Sequence, residues 1–267
     1  MATLVAFHAH PDDESLSMGG TLARAAAAGH RTVLVVATGG EHGQVPADLA
    51  VGESLADRRR RETEAACEVL GVSRLAWLGY EDSGMTGWSQ NSNPGAFVNA
   101  DLSEASARLA RILADERPEA FTTYDWHGNY GHPDHLQVHA VGHRAAVLAE
   151  VEGVYEVTMN RDWFRSLMTM AREAGVATTD GFADFDADAP ADDGNPMGEP
   201  ESAISHRVDV GEWCESKLRA ISCHDSQVTD VSYFRTMPPD IFRLAFGVEW
   251  FIRRGETGPP RDAWLIE

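Results

Sequence analysis

Two short stretches carry most of the chemistry in this chain. The first is Phe7-His8-Ala9-His10-Pro11-Asp12-Asp13-Glu14, which crowds two imidazoles and three carboxylates behind the apolar run Leu4 to Phe7. The second, His132-Pro133-Asp134-His135, repeats the same residue types far down the chain. A divalent metal at a hydrolytic site commonly takes three protein ligands and leaves one position for water. His10 and Asp13 are three apart, a spacing that a strand end turning into a helix can bring onto one cation, and His135 is the natural third ligand. Two nitrogens and one oxygen suit zinc, and Fe(II) or Co(II) would also fit. Asp12 is then a spare carboxylate beside the metal, able to take a proton from water and return it to a leaving amine. His132 would sit across the site, polarising a carbonyl or stabilising an oxyanion. Asp134 could orient His132 through its ring nitrogen. Turn chemistry is the competing account: proline fixes φ and aspartate caps the next helix. Capping accounts for Asp134 as well as catalysis does, but it leaves the paired histidine clusters unexplained.

The elements that must aim these residues alternate in type. Residues 3–7 read as a buried strand, followed by a helix from Glu14 to Ala28 that ends at Gly29, where a C′ glycine belongs. Thr32 to Thr38 is β-branched and apolar throughout, as central parallel strands are. A helix from Ser54 to Leu70, a strand from Arg74 to Leu78, a helix from Leu102 to Glu116 and a strand from Ala120 to Tyr124 follow, and the second cluster opens a helix running to Glu150. This alternation predicts an α/β fold with a mostly parallel sheet covered by helices on both faces. Both clusters then lie at C-terminal strand ends, where open α/β sheets bind ligands. Beyond residue 150 the pattern loosens. Strands are expected at Val154 to Thr158, Ser205 to Val210 and Phe246 to Ile252, with helices from Arg161 to Ala174 and Glu212 to Ala220. Asp180 to Glu201, acidic and without apolar period, reads as a solvated excursion or mobile flap. The expected organisation is one domain over residues 1–267, with 1–150 as the metal-bearing core and 151–267 as substrate-side elaboration.

Composition narrows the partners. A net charge of −20 over 267 residues argues against nucleic acid and against an anionic membrane, both of which require a basic face. Three cysteines without a CxxC pair fit thiols in a reducing compartment. No basic n-region or long apolar run marks a signal peptide or membrane span, so the expected location is cytoplasmic. A homo-oligomer is compatible with the sequence, which leaves oligomeric state open.

Ala9-His10-Pro11-Asp12-Asp13-Glu14 with Gly131-His132-Pro133-Asp134-His135 strongly resembles the zinc-dependent N-deacetylases of the PIG-L (LmbE-like) family. The resemblance spans roughly residues 3 to 150. It implies a Rossmann-like fold, zinc held by His10, Asp13 and His135, Asp12 as general base and His132 as electrostatic partner. It implies a small amino-sugar or glycoconjugate substrate, with removal of an N-acetyl or other N-acyl group. An amidase acting on a thiol conjugate, a deacylase of a glycosylated natural product and a non-catalytic sugar-binding module are the alternatives. Weaker matches follow from the same family. Arg59 with Glu62 resembles an R-x-x-E helix start whose arginine would meet sugar hydroxyls or phosphate, and Asp82 falls in a D-S-G-M loop facing the sugar. Tyr130 matches a mobile gate, and Lys217, His224 and Gln227 resemble a late K…H-x-x-Q element closing over the pocket.

Other histidines invite overreading. His135, His139 and His143 form a stripe at i, i+4 and i+8, but no H-E-x-x-H motif accompanies it, so His139 reads as a supporting or core residue and His143 as a surface one. Strand alternation turns His8 away from His10. Glu14 reads only as an acidic residue favouring the helix N-terminus. Gly19-Gly20 falls inside a helix, where close packing explains it, and no G-x-G-x-x-G is present, so NAD binding is not expected.

Overall fold

The computed structural model describes residues 1–173, 186–256 and 258–266. Its centre is β1 (Thr3–His8) beside β2 (Arg31–Thr38), both apolar and buried along nearly their whole length. Such runs can sit only inside a sheet covered on both faces. β3 (Arg74–Tyr80), β4 (Ala120–Tyr124) and β5 (Val154–Thr158) complete the parallel portion, in the order β3-β2-β1-β4-β5. Helix α1 (Asp13–Ala27) links β1 to β2, α2 (Leu55–Leu70) links β2 to β3, α3 (Leu102–Glu116) leads to β4, and α4 (Pro133–Leu148) leads to β5. α3 packs on α4, while α1 packs on α2. The core between these layers is made of fully buried Leu4, Phe7, Leu34, Leu109, Phe121 and Val138.

Helix limits follow from local chemistry. Ser54 and Asp57 form a reciprocal capping box at the start of α2, and Gly71 ends it with φ of 73°. Asp101 accepts the Glu104 amide to open α3, and Pro133 occupies the first turn of α4, where a missing N–H costs nothing. Gly20 lies within α1 for close packing, as expected: a Cβ there would come within 2.5 Å of Val210 Cβ.

The second half continues the same sheet rather than building another. After α5 (Arg161–Glu173) come β6 (His206–Asp209), α6 (Cys214–Cys223), α7 (Val228–Thr236), α8 (Pro239–Phe246), β7 (Val248–Arg253) and β8 (Arg261–Asp262). β7 pairs antiparallel with β5 and with β6, giving an eight-stranded mixed sheet. Three readings change here. The last long strand starts at Val248 because Phe246 closes α8, a helix opened by Pro238 and Pro239. The helix expected from Glu212 begins as a 3-10 turn and becomes α-helical at Cys214. The acidic stretch is the third. Its first part, like Ala174, lies outside the described residues, but from Asp186 onward it is packed in turns. The Asp192 amide donates to Tyr130 O at 3.0 Å and the Gly198 amide to Asn129 O at 2.7 Å. Its acids are likewise engaged, Asp188 by Arg165 and Glu199 by the Trp126 indole. Its Gly198-Glu199 end is buried beside the loop carrying the second cluster, while Asp188 to Pro190 stay exposed as expected.

Candidate active site

The order β3-β2-β1-β4-β5 changes direction between β1 and β4. The crossovers after β1 run to β2 and β3 on one side, and the chain then returns to lay β4 on the other. At such a switch point the loops leaving the two strands part and open a crevice at their C-terminal ends. The first cluster leaves β1 there and the second leaves β4. A cavity of about 490 Å³ occupies the crevice, and His10, Asp12, Asp13, His132 and His135 all line it.

Asp13 is where the two clusters meet. Its Oδ2 lies 3.4 Å from His10 Nδ1 and 3.5 Å from His135 Nε2. Each ring is set by a partner on its other nitrogen. His10 Nε2 faces Asp134 Oδ2 at 3.0 Å, and His135 Nδ1 faces the Gly128 carbonyl at 3.0 Å. Those acceptors favour protons on His10 Nε2 and His135 Nδ1, so that with a cation at Asp13 the lone pairs would lie on the nitrogens that point to it. His135 Nε2 is buried and has no hydrogen-bond partner. Two ring nitrogens, one of them without a hydrogen-bond partner among the described residues, and one carboxylate oxygen are a donor set that fits a divalent cation. A nitrogen of His132 also comes within 4.8 Å of nitrogens of His10 and His135. Its Nδ1, however, accepts the Asp134 amide at 3.1 Å, and it offers no charge. Asp13 carries charge and faces both rings.

Asp12 stands beside this set in a backbone conformation unusual for a residue with a side chain, φ 93° and ψ −32°. Such a conformation persists only where neighbours enforce it, and here they do. The Asp12 amide donates to Glu14 Oε2 at 3.1 Å, and Arg59 donates to the Pro11 carbonyl and, at 3.0 Å, to Asp12 Oδ2. Burial pushes the Asp12 carboxyl up to about 6, against the lowering pull of Arg59. A carboxylate with that value can both accept and return a proton near neutral pH.

Arg59 reaches this position because it falls on the inward stripe of α2 with Leu55, Glu62, Ala66 and Leu70, while its neighbours Arg60 and Arg61 face solvent. It lines the cavity, yet its terminal nitrogens already serve Gly40 O, Pro11 O and Asp12. Its visible contact is with the proposed base.

Asp134 departs from expectation. Its carboxylate does not hydrogen-bond His132; it accepts from Ser83 N at 2.9 Å and from Ser83 Oγ, and it faces His10 Nε2. As the second residue of α4 it points back over its own helix start, toward the loop after β3, while its backbone N–H is what fixes His132. The expected link between Asp134 and His132 therefore runs through the main chain, and the side chain orients His10. Since His132 Nδ1 accepts an N–H, its proton sits on Nε2. Burial, then the neighbouring His10 and His135, push this imidazole down to about 2, which leaves it a neutral donor.

The remaining family-implied positions divide. Asp82, Tyr130 and Gln227 line the cavity. Asp82 accepts the His42 and Gly84 amides and lies 3.5 Å from His10. The Tyr130 ring packs edge-on against His135, with centroids 4.7 Å apart. Gln227 is tied to both the amide and carbonyl of Gln44. Lys217 lines the cavity as well, whereas His224 is not among its lining residues. Lys217 is buried against Glu249 at 2.7 Å, and His224 is buried against Glu14 at 2.8 Å. Glu14 thus does more than favour a helix terminus. The supporting residues Ser83, Gly128 and Glu249 had no role in the sequence reading; Ser83, in the D-S-G-M loop, and Gly128, in the loop just before the second cluster, had a local signal, and Glu249 had none. His8, as expected, turns away from the ligands, with Nδ1 on the Tyr124 hydroxyl at 2.9 Å.

Comparison with known proteins adds to this geometry. The pattern of the PIG-L family, described as GlcNAc-PI de-N-acetylase, matches residues 5–146. The 1D-myo-inositol 2-acetamido-2-deoxy-alpha-D-glucopyranoside deacetylase of Acidothermus cellulolyticus is 38% identical, over 97% of this chain and 91% of its own. Among solved structures, the N,N'-diacetylchitobiose deacetylase from Pyrococcus horikoshii aligns with a TM-score of 0.56 at 24% identity, covering 97% of this chain and 84% of that one. A 4-carboxy-2-hydroxymuconate hydratase from Pseudomonas putida aligns with a TM-score of 0.60 at 16% identity, covering 98% and 100%. Deacetylase and hydratase share the architecture, so structural likeness shows the fold and the chemistry has to be read from the side chains.

Proposed function

The chain belongs to the PIG-L family, described as GlcNAc-PI de-N-acetylase, and from that premise we propose that it hydrolyses the acetamide of an N-acetylglucosamine joined to inositol or a similar small polyol. The proposed ligands of a divalent metal, zinc by its donor set, are His10, Asp13 and His135. The observation that carries this reading is the convergence of His10 Nδ1 and His135 Nε2 on Asp13, with Asp134 and the Gly128 carbonyl on their opposite nitrogens, next to a carboxylate that no ligand role uses.

A cation there would acidify a water molecule and polarise the amide carbonyl. Asp12 accepts the proton of the attacking water as its oxygen bonds to the amide carbon. The same carboxyl then delivers that proton to the amine nitrogen as the C–N bond breaks, leaving acetate and a free amino sugar. Arg59 and the Glu14 carboxylate hold Asp12 in place for both transfers. His132 donates from Nε2 to the developing oxyanion, and its neutrality keeps it from competing for the Asp12 proton. Arg59, Asp82, Tyr130 and Gln227 stand at the cavity wall as the proposed sugar contacts. Residues 1–267 are read as one catalytic unit, in which 1–150 bear the metal centre and 151–267 add Gln227 and part of the cavity wall.

A second reading keeps the chemistry and enlarges the substrate. Trp88, Trp163, Phe164 and Phe246 also line the cavity, which would suit a conjugate with an apolar arm or a longer acyl chain. Mass-spectrometric assay of acyl loss from N-acetylglucosaminyl-inositol, a thiol conjugate of the deacetylated sugar and a long-chain N-acyl analogue, before and after chelation, decides between them. Acetate release from the first substrate alone, lost with chelator and in Asp12→Ala, is the expected result. Turnover that survives both treatments would sink the metal-assisted mechanism.

A further inference from the structure

The histidine stripe of α4 does not end at the candidate active site. One turn beyond His135 comes His139, and one turn beyond that His143, with ring centroids 4.5 Å apart. Opposite them stands Glu156 of β5. A nitrogen from each ring and an oxygen of Glu156 all lie within 4.8 Å of one another. Glu156 Oε1 is 2.7 Å from His143 Nε2 and 3.8 Å from His139 Nδ1. We propose that His139, His143 and Glu156 form a second divalent metal site, separate from the one built on Asp13, for a borderline cation such as Zn²⁺.

Three features favour this over a mere surface ion pair. The His143–Glu156 contact uses two of the three residues, and His139 stands 3.8 Å from the same Glu156 oxygen. His139 Nδ1 faces the Tyr124 carbonyl at 2.9 Å. That acceptor favours the proton on Nδ1, so Nε2 is the nitrogen His139 would offer to an ion. Two histidines at i, i+4 with a carboxylate from an adjacent strand also give the N2O set that such cations accept. Finally, the side chains are 27%, 19% and 16% exposed, so an ion can enter from solvent and water can complete its shell. A protein of charge −20 concentrates cations around such a site.

Occupancy would tie α4 to β5. α4 begins with His132 and His135, while Val157 and Thr158, the next residues of β5, line the active-site cavity. Tyr124, whose carbonyl takes His139, also stacks its ring against His135 with centroids 4.6 Å apart. The second ion would therefore brace the two elements that frame the first.

Equilibrium dialysis of the whole protein against Zn²⁺, with metal counted by mass spectrometry, tests this. Wild type should bind two equivalents. His139→Ala/His143→Ala should keep one and lose the weaker, by at least about 10–100-fold in affinity. It should also lose the rise in Tm that accompanies the second equivalent. Asp13→Ala/His135→Ala should keep one equivalent, whatever the fate of the catalytic proposal. Circular dichroism of each metal-free variant checks folding. Stoichiometry and affinity left unchanged by His139→Ala/His143→Ala, or no bound Zn²⁺ in a folded Asp13→Ala/His135→Ala, would each overturn the site.

Discussion

The Glu14 carboxylate and the His224 imidazole meet at 2.8 Å although 210 residues separate them, and neither is exposed. The other oxygen of Glu14 accepts the amide of Asp12, the residue with φ of 93°. The late segment of the chain thus reaches under the active-site loop and helps to hold the proposed base. Removing one partner of a buried charged pair leaves the other without compensation, at about 3–5 kcal/mol. His224→Phe should lower stability by that order in urea titrations. Displacement of Asp12 by even 1 Å should lower kcat by about 100-fold, with KM and bound metal near wild type. Unchanged kcat in the folded variant would make His224 a packing residue only.

The loop glycine beside the ligands gives a sharper test of geometry. At Gly128, φ is 62° and a Cβ would lie 2.3 Å from His135 Cβ, while the glycine carbonyl sets the His135 tautomer. Gly128→Ala is therefore strained twice, by backbone conformation and by contact. It should weaken metal binding by at least about tenfold, measured by competition with a chromogenic chelator. Gly52→Ala, at φ of 84° with open space around the Cβ, carries only the backbone strain and should leave metal affinity unchanged.

Acid stability has a contribution far from the site. Glu116 accepts from Arg31 at 2.6 Å and Arg74 at 2.8 Å. The hydrogen bond with Arg31, opposed by burial and aided by Arg74, pulls its carboxyl down to about 2 from 4.5. A depressed carboxyl stabilises the fold above its unfolded value and loses that contribution as pH falls through the folded one. The window is about pH 4.5 to 2. Both guanidiniums are more than a third exposed, so solvent screening limits the effect to about 1–2 kcal/mol. Glu116→Gln should be less stable than wild type by that amount at pH 7, and the difference should shrink steadily below pH 4.5 in urea melts. A difference that grows with acid would contradict the linkage.

Much of this arrangement was legible in the sequence because it is local. Apolar runs such as Thr32 to Thr38 announce central strands, and ligand clusters at the ends of β1 and β4 announce a crevice. What was not legible depends on distant partners. Nothing near Asp134 indicates that Ser83 will draw its carboxylate toward His10, and nothing near Glu14 points to His224. Strand direction was equally hidden, since the apolar pattern of β7 reads the same for parallel and antiparallel pairing. The acidic stretch misled in part through composition: Glu199 looks solvated until Trp126 is placed beside it, whereas Asp188, though paired with Arg165, stays exposed.

The position of Asp134 separates two accounts of the second cluster. If its carboxylate acted through His132, as the sequence suggested, Asp134→Asn would lower kcat and leave metal affinity alone. The observed bonds predict otherwise. Asparagine can keep one bond to Ser83, but it presents either a neutral acceptor or an N–H donor to His10 Nε2. The weaker acceptor lowers the basicity of Nδ1, the proposed ligand atom, and the donor orientation favours the wrong tautomer. Losses of this kind run to about 10–100-fold in metal affinity. Asp134→Asn should accordingly need more Zn²⁺ for half-maximal activity and recover much of its kcat once saturated. His132→Ala should do the reverse, binding metal as wild type does while losing about 100–1000-fold in kcat, the usual cost of an oxyanion donor. Zinc titrations of the two variants, followed by both activity and bound metal, distinguish the accounts.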